Sequence, residues 1–193
     1  MDTLLNAAIL LITAPLAVLL FRKEQQWDLQ RGKWAFRFFT VQSNVLCAVA
    51  ALLICLWPES RFAWTMKYIG TAAMTLTMLT VFLFLAPSIG RDWAKALLKG
   101  PDLFMHLITP LLALLSFCLF EKRGMSFGVA LLGMLPVILY GPWYLYKIKF
   151  APEEKRWNDF YGFNKSGHWP ISFACMLLGT FLICMGLMAL QNV

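Results

Sequence analysis

A hydroxyl and an imidazole are the reactive side chains that stand out in this sequence. Thr40 lies in the run Phe36–Asn44, and His106 lies in the run Asp102–Pro110. A hydroxyl is a weak nucleophile until a base takes its proton, and a neutral imidazole takes protons near pH 7. If the fold brings these two side chains together, they predict a nucleophilic hydrolase.

Polar neighbours accompany these side chains at helical spacing. At about 100° per residue, Thr40, Ser43 and Asn44 share one stripe of a helix. Small and polar residues on one stripe of a membrane helix face the other helices. We therefore expect Asn44 either to orient the imidazole of His106 or to donate a hydrogen bond to an oxyanion, and Tyr140 is an alternative donor.

Pro110 predicts a bend in the helix that carries His106. Proline has no N–H, so the carbonyl four residues earlier, which is that of His106, loses its helical partner. A bend at this point opens room and leaves an acceptor beside the imidazole. Thr109 shares the stripe of His106, which indicates that this stripe faces the interior of the bundle.

The composition requires lipid around most of the chain. Of the 193 residues, 60% are hydrophobic and only 14% are charged, whereas a soluble domain carries about 25% charged residues. A spanning helix needs about 20 mostly apolar residues. Six such segments predict an all-α polytopic membrane bundle that forms a single domain, with spans near 3–21, 35–57, 68–90, 103–120, 127–146 and 171–190.

The basic residues predict the orientation of the bundle. Thirteen of the 17 Lys and Arg residues lie in the first, third and fifth connections. The other four, Arg61, Lys67, Lys122 and Arg123, lie in the second and fourth connections. Because cytoplasmic loops are enriched in Lys and Arg, we expect the three basic connections to be cytoplasmic and both termini to lie outside.

The helices that carry Thr40 and His106 both begin at this basic end. Each residue lies about four positions into its helix, which places both about 6 Å below the same surface at 1.5 Å per residue. Tyr140 also reaches this end, and we expect the opposite end to be poorer in polar side chains. A site at this depth would meet acyl esters of membrane lipids directly.

Several other chemistries are excluded by what the chain contains. A metal hydrolase needs three or four ligands, and two histidines without a carboxylate inside a predicted span do not supply them, so neither a metal nor another cofactor is expected. The five cysteines lie in apolar runs and are interpreted as packing residues. The net charge of +7 fits basic loops beside anionic lipid, and no nucleic-acid-binding motif accompanies it.

Three short motifs, in this order, resemble those of a known family. Phe39–Asn44 is similar to the F-T-x-x-S-N signature of the androgen-induced membrane hydrolases and their bacterial relatives. Leu103–Pro110 resembles the H-x-x-x-P helix of that family, and Trp157–Phe163 resembles a segment before the last span of bacterial members. The number of helices and most of the chain length agree with the resemblance.

The resemblance implies a multi-pass enzyme of a bacterial inner membrane with a threonine nucleophile and a histidine base. Animal members of the family cleave esters of hydroxy fatty acids. Carried over to this chain, Thr40 is the nucleophile, His106 is the base and a long-chain acyl ester is the substrate. The animal proteins place the threonine one residue closer to the asparagine and the histidine one residue farther from the proline, which leaves Ser43 open as the reacting hydroxyl.

Two other classes of function stay open at this point. If the chain has this fold but no hydrolytic activity, it would be a lipid-binding or scaffolding membrane protein. A small transporter is less favoured, because the predicted spans contain no charge pair and the sequence shows no inverted repeat.

Overall fold

The computed structural model describes residues 2–193 and shows a bundle of helices. Within these residues the helices are α1 Asp2–Leu19, α2 Leu29–Ala35, α3 Phe39–Leu56, α4 Arg61–Leu97, α5 Pro101–Phe120, α6 Phe127–Phe150 and α7 Trp169–Gln191. Two short strands, β1 Arg22–Lys23 and β2 Gln26–Trp27, pair antiparallel between α1 and α2. All the helices except α2 are long and apolar enough to cross a bilayer. The predicted all-α bundle of six spans is confirmed, and the protein is an integral membrane protein.

Helices α3 and α4 approach closely because small residues face each other between them. A Cβ atom on Gly70 would lie only 2.9 Å from the Cα atom of Cys47, so no larger residue fits without moving the helices apart. Ile9 of α1, Met74 of α4 and Ala113 of α5 pack with Cys47 in one buried cluster. This cluster sets α3 and α5, which carry Thr40 and His106, beside each other.

Helix α5 accommodates Pro110 by widening one turn. The residues Phe104–Ile108 form a π-helical turn, in which backbone N–H groups bond to carbonyls five residues earlier. The Thr109 hydroxyl donates to the Phe104 carbonyl across this turn. The irregularity that Pro110 predicts therefore takes the form of a π-turn, and His106 lies within it.

Helix α4 changes direction before it ends. Gly90 has a φ angle of +78°, a conformation that glycine adopts without steric cost. The chain then continues through a short helix, Trp93–Leu97, at the basic end of the bundle. This arrangement brings the carbonyl of Leu97 to the beginning of α5.

A buried ion pair lies at the end of the bundle opposite Thr40. The ammonium of Lys67 is 3.6 Å from a carboxylate oxygen of Glu121, and the two side chains are 0% and 3% exposed. Lys67 also donates to the side-chain oxygen of Asn6. Asn6 and Ser116 both donate to the Glu121 oxygen that faces Lys67. The cluster joins α1, α4 and the end of α5.

This cluster corrects three expectations from the sequence. Lys67 is not a loop residue, the end opposite Thr40 is not poor in polar side chains, and the bundle contains a charge pair. Glu121 neutralises the buried ammonium of Lys67. The expected absence of charge pairs, which argued against a transporter, is therefore wrong.

Helix α4 begins at Arg61 rather than at residue 68, because the Ser60 hydroxyl caps it by accepting the Ala63 N–H at 3.3 Å.

Removing one partner of this pair should destabilise the bundle more than removing both. Lys67→Met leaves the Glu121 carboxylate buried without its cation, at a cost of about 3–5 kcal/mol. The double variant Lys67→Met/Glu121→Gln leaves no unpaired charge and should unfold at a temperature closer to that of the wild type. Thermal unfolding of the detergent-purified proteins measures both effects. A single variant that is as stable as the wild type would contradict this account of the cluster.

Candidate active site

Thr40 lies on the wall of an apolar groove between α3, α4, α6 and α7. The groove has a volume of about 350 Å³, which is within the range of small-molecule sites. Leu83 and Phe84 line it from α4 and are 62% and 64% exposed. The groove therefore opens on the surface that faces lipid, and its shape suits an acyl chain that enters sideways from the bilayer.

The hydroxyl groups of Thr40 and Ser43, which are the two candidate nucleophiles from the sequence, differ in position. The Thr40 side chain lines the groove. Ser43 is buried and is not among the residues of the groove wall. Its hydroxyl is already engaged with the Thr77 hydroxyl at 2.9 Å and with the Thr40 carbonyl at 3.1 Å. The geometry therefore favours Thr40 over Ser43 as the hydroxyl that meets a bound lipid.

Asn44 links the turn that carries Thr40 to the turn that carries His106. Its side-chain nitrogen donates to the Thr40 carbonyl at 2.8 Å and to the carbonyl of Met105, the residue before His106, at 3.0 Å. Because one nitrogen contacts both carbonyls, the two turns lie side by side at one level of the bundle. The Oδ1 atom of Asn44 is buried and accepts no hydrogen bond within residues 2–193.

The backbone of Leu97 selects the tautomer of His106. The Nδ1 atom of the imidazole is 2.7 Å from the Leu97 carbonyl oxygen. A carbonyl oxygen only accepts hydrogen bonds, so Nδ1 carries a proton, and in a neutral ring Nε2 is the nitrogen without one. The contact therefore leaves Nε2 as the ring atom that can accept a proton.

Thr40 and His106 are close in level but are not hydrogen-bonded to each other within residues 2–193. The His106 ring is hydrogen-bonded to the Leu97 carbonyl instead, and the phenol of Tyr161 is a polar neighbour of the Thr40 side chain. Catalytic hydrogen bonds frequently form only when substrate is bound. The geometric link between the two residues is therefore the Asn44 side chain.

Tyr161, from the connection between α6 and α7, closes the polar end of the groove. Its phenol oxygen accepts the Phe39 N–H at 3.0 Å. Burial raises the pKa of Tyr161, although hydrogen bonding to Phe39, Tyr140 and Thr40 acts in the opposite direction. The phenol therefore stays protonated and can donate. Tyr140 also lines the groove, but its hydroxyl already donates to the Arg37 carbonyl at 2.7 Å, so Tyr161 is the better placed donor.

Asp159 holds this connection in its folded form. Its carboxylate accepts the Tyr144 hydroxyl at 2.8 Å, the Phe163 N–H at 2.8 Å and the Asn164 N–H at 2.6 Å. The Tyr144 oxygen in turn accepts the Tyr161 N–H at 3.2 Å. Tyr161 is therefore held at both its backbone and its side chain, which fixes the position of the phenol.

Sequence reasoning missed the roles of Tyr161 and Leu97. A signal for the first was present, because Asp159 and Gly162 stand at the first and fourth positions of a four-residue segment, as is typical of a type I turn. The density of aromatic residues in Trp157–Phe163 also indicates a packed connection rather than a mobile one. No signal exists for Leu97, because its contribution is a backbone carbonyl that any residue type supplies.

No family model matches the chain, and neither a curated protein nor a solved structure is similar to it. The candidate site therefore depends on the contacts described above.

Replacing Asp159 should release Tyr161 from the groove. Asp159→Ala removes the acceptor of three hydrogen bonds, and the amides of Phe163 and Asn164 should then exchange with solvent faster. Loss of one or two of these bonds costs about 1.5–3 kcal/mol, which corresponds to at least about tenfold faster exchange. Hydrogen–deuterium exchange measured by mass spectrometry tests this. Glu153→Ala, an exposed residue of the same connection, is the matched control, and equal exchange in both variants would refute the assigned role of Asp159.

Proposed function

We propose that the protein is an intramembrane hydrolase of long-chain acyl esters, with Thr40 as the nucleophile and His106 as the general base. The observation that supports this most strongly is the contact of Asn44 with the carbonyls of both Thr40 and Met105. It sets the nucleophile and the base on adjacent turns, where Thr40 also lines a groove open to lipid. An acyl chain in the groove would bring its ester group to Thr40.

In the first step, the Thr40 hydroxyl transfers its proton to Nε2 of His106, either directly or through one water molecule, and Oγ1 attacks the ester carbonyl carbon. The unpartnered Oδ1 atom of Asn44 would accept a hydrogen bond from that water. The carbonyl oxygen becomes an oxyanion, to which the neutral phenol of Tyr161 donates. The Leu97 carbonyl stabilises the imidazolium through Nδ1–H.

In the second step, the carbon–oxygen bond to the alcohol breaks and the leaving alkoxide takes the proton from Nε2 of His106. The acyl group stays on Thr40 as an ester. A water molecule then gives a proton to Nε2 and attacks the acyl carbon, and Thr40 leaves with that proton restored. The products are one fatty acid and one alcohol for each ester and water consumed.

The proposed cellular location follows from the same residues. The basic connections at the Thr40 end favour the cytoplasmic side, with both termini outside, and the resemblance to the androgen-induced membrane hydrolases favours a bacterial inner membrane. The ester substrate would then be drawn from the cytoplasmic leaflet.

A second candidate function is that of a non-catalytic protein that binds acyl lipids. One observation favours it, which is that no hydrogen bond joins Thr40 to His106 in residues 2–193. The groove serves such a protein equally well, so only a measurement of turnover distinguishes the two functions.

Substitution of either catalytic residue should abolish ester turnover without unfolding the protein. We expect Thr40→Ala to reduce hydrolysis of a long-chain 4-nitrophenyl ester to background and His106→Asn to reduce kcat by about 10²–10⁴-fold, the usual contribution of a general base. Detergent-purified protein and release of 4-nitrophenolate provide the assay. Thr40→Ser should keep measurable turnover, because it keeps the hydroxyl.

Ser43→Ala is the matched control for this experiment. It removes a neighbouring hydroxyl that does not reach the groove, so its turnover should stay within a few-fold of the wild type. Loss of turnover in Ser43→Ala but not in Thr40→Ala would assign the nucleophile to Ser43. Equal turnover in the wild type and all four variants would remove the catalytic proposal and leave the lipid-binding one.

A further inference from the structure

Three cations at the basic end of the bundle lie over aromatic rings. The guanidinium of Arg37 is 5.2 Å from the centre of the Trp157 ring, the ammonium of Lys147 is 4.8 Å from that of Trp143, and the ammonium of Lys149 is 5.2 Å from that of Trp169. All three cations are half-buried. Rings hold the cations in place but do not neutralise their charge.

No carboxylate of residues 2–193 neutralises these three cations. The ion pairs found within those residues join Lys67 to Glu121 and Lys95 to Asp92. Asp159 lies in the adjoining connection, but its carboxylate accepts hydrogen bonds from Tyr144 and from two backbone N–H groups. Arg37 and Lys147 both lie over the Trp157 ring, at 5.2 and 5.8 Å from its centre, and therefore form a positive patch that is available to an anion. Lys149 contacts Phe150 and Trp169 instead and is not part of this patch.

This basic patch adjoins the polar end of the groove. The Arg37 carbonyl accepts the hydroxyl of Tyr140, which lines the groove. The Trp157 ring lies 6.4 Å from the ring of Tyr144, another residue of the groove wall. A molecule with an anionic group on the patch can thus extend an apolar chain into the groove.

We propose that Arg37 and Lys147 form a binding site for the phosphate of an anionic phospholipid whose acyl chain occupies the groove. A phosphate accepts charge-assisted hydrogen bonds from guanidinium and ammonium groups. Trp143, which contacts Lys147, is 50% exposed, as suits a side chain at the level of lipid headgroups. Both features favour a lipid over a soluble phosphate.

This inference deepens the proposed function, because it names the lipid class that the groove would present to Thr40. It predicts that phosphatidylglycerol binds in preference to phosphatidylcholine, whose headgroup has no net charge. Each basic side chain near an anionic headgroup strengthens binding about fivefold. The preference should therefore be about 25-fold for two cations, and it should not need the Thr40 hydroxyl.

Native mass spectrometry of the full chain with each phospholipid measures this preference. The test variant is Arg37→Gln/Lys147→Gln. The control variant, Lys33→Gln/Lys155→Gln, removes the same charge from exposed positions in basic connections. We expect the test variant to lose the preference for phosphatidylglycerol and the control variant to keep it. If both keep it or both lose it, the patch is not the site.

Three further measurements distinguish the possible causes of a negative result. If the double variant unfolds, Lys147→Gln alone should still lower the preference about fivefold, which is the contribution of one cation. Glycerol 3-phosphate, which carries the anion without acyl chains, should not displace phosphatidylglycerol, and displacement at equal concentration would assign the patch to a soluble anion instead. All binding is repeated in Thr40→Ala, so that a failure of lipid binding is separable from a failure of hydrolysis.

Discussion

Inside a bilayer, a buried hydrogen-bonding group has no water to contact and must find its partner in the protein. Asn44 meets this constraint by donating to two backbone carbonyls on different helices, at Thr40 and at Met105. One side chain thereby fixes the relative level of α3 and α5. The proposed nucleophile and the proposed base lie next to this contact, because Thr40 supplies one of the two carbonyls and His106 follows the residue that supplies the other.

The same constraint explains why the bundle has two distinct polar ends. At one end, Lys67 and Glu121 neutralise each other and join α1, α4 and α5. At the other, Tyr161 and Asp159 hold the last connection against the beginning of α3. Between α4, α6 and α7 the wall is apolar and open to lipid. The buried ion pair and the proposed active site thus lie at opposite ends of the bundle. A substitution at the ion pair should therefore lower the stability of the protein more than it changes the geometry of the site.

The sequence predicts the fold well, because twenty apolar residues in lipid leave the backbone no alternative to a helix. It does not predict Lys67 as a buried residue, since its partner Glu121 is far away in the chain and only the packed bundle brings them together. The same holds for the orientation of His106, which depends on a carbonyl of Leu97 placed by the turn at Gly90. Periodicity finds the stripe of Thr40 and Asn44 but cannot separate a hydroxyl that faces a groove from one, such as Ser43, that faces a neighbouring helix.

The proposed function requires that Thr40 accepts an acyl group with the help of His106. Intact-protein and peptide mass spectrometry after rapid mixing with a long-chain activated ester measures this transfer. We expect an acyl mass on the peptide that contains Thr40, formed quickly in the wild type and at least about a hundredfold more slowly in His106→Asn. An acyl group on any other residue, or equal rates in the two proteins, would contradict it.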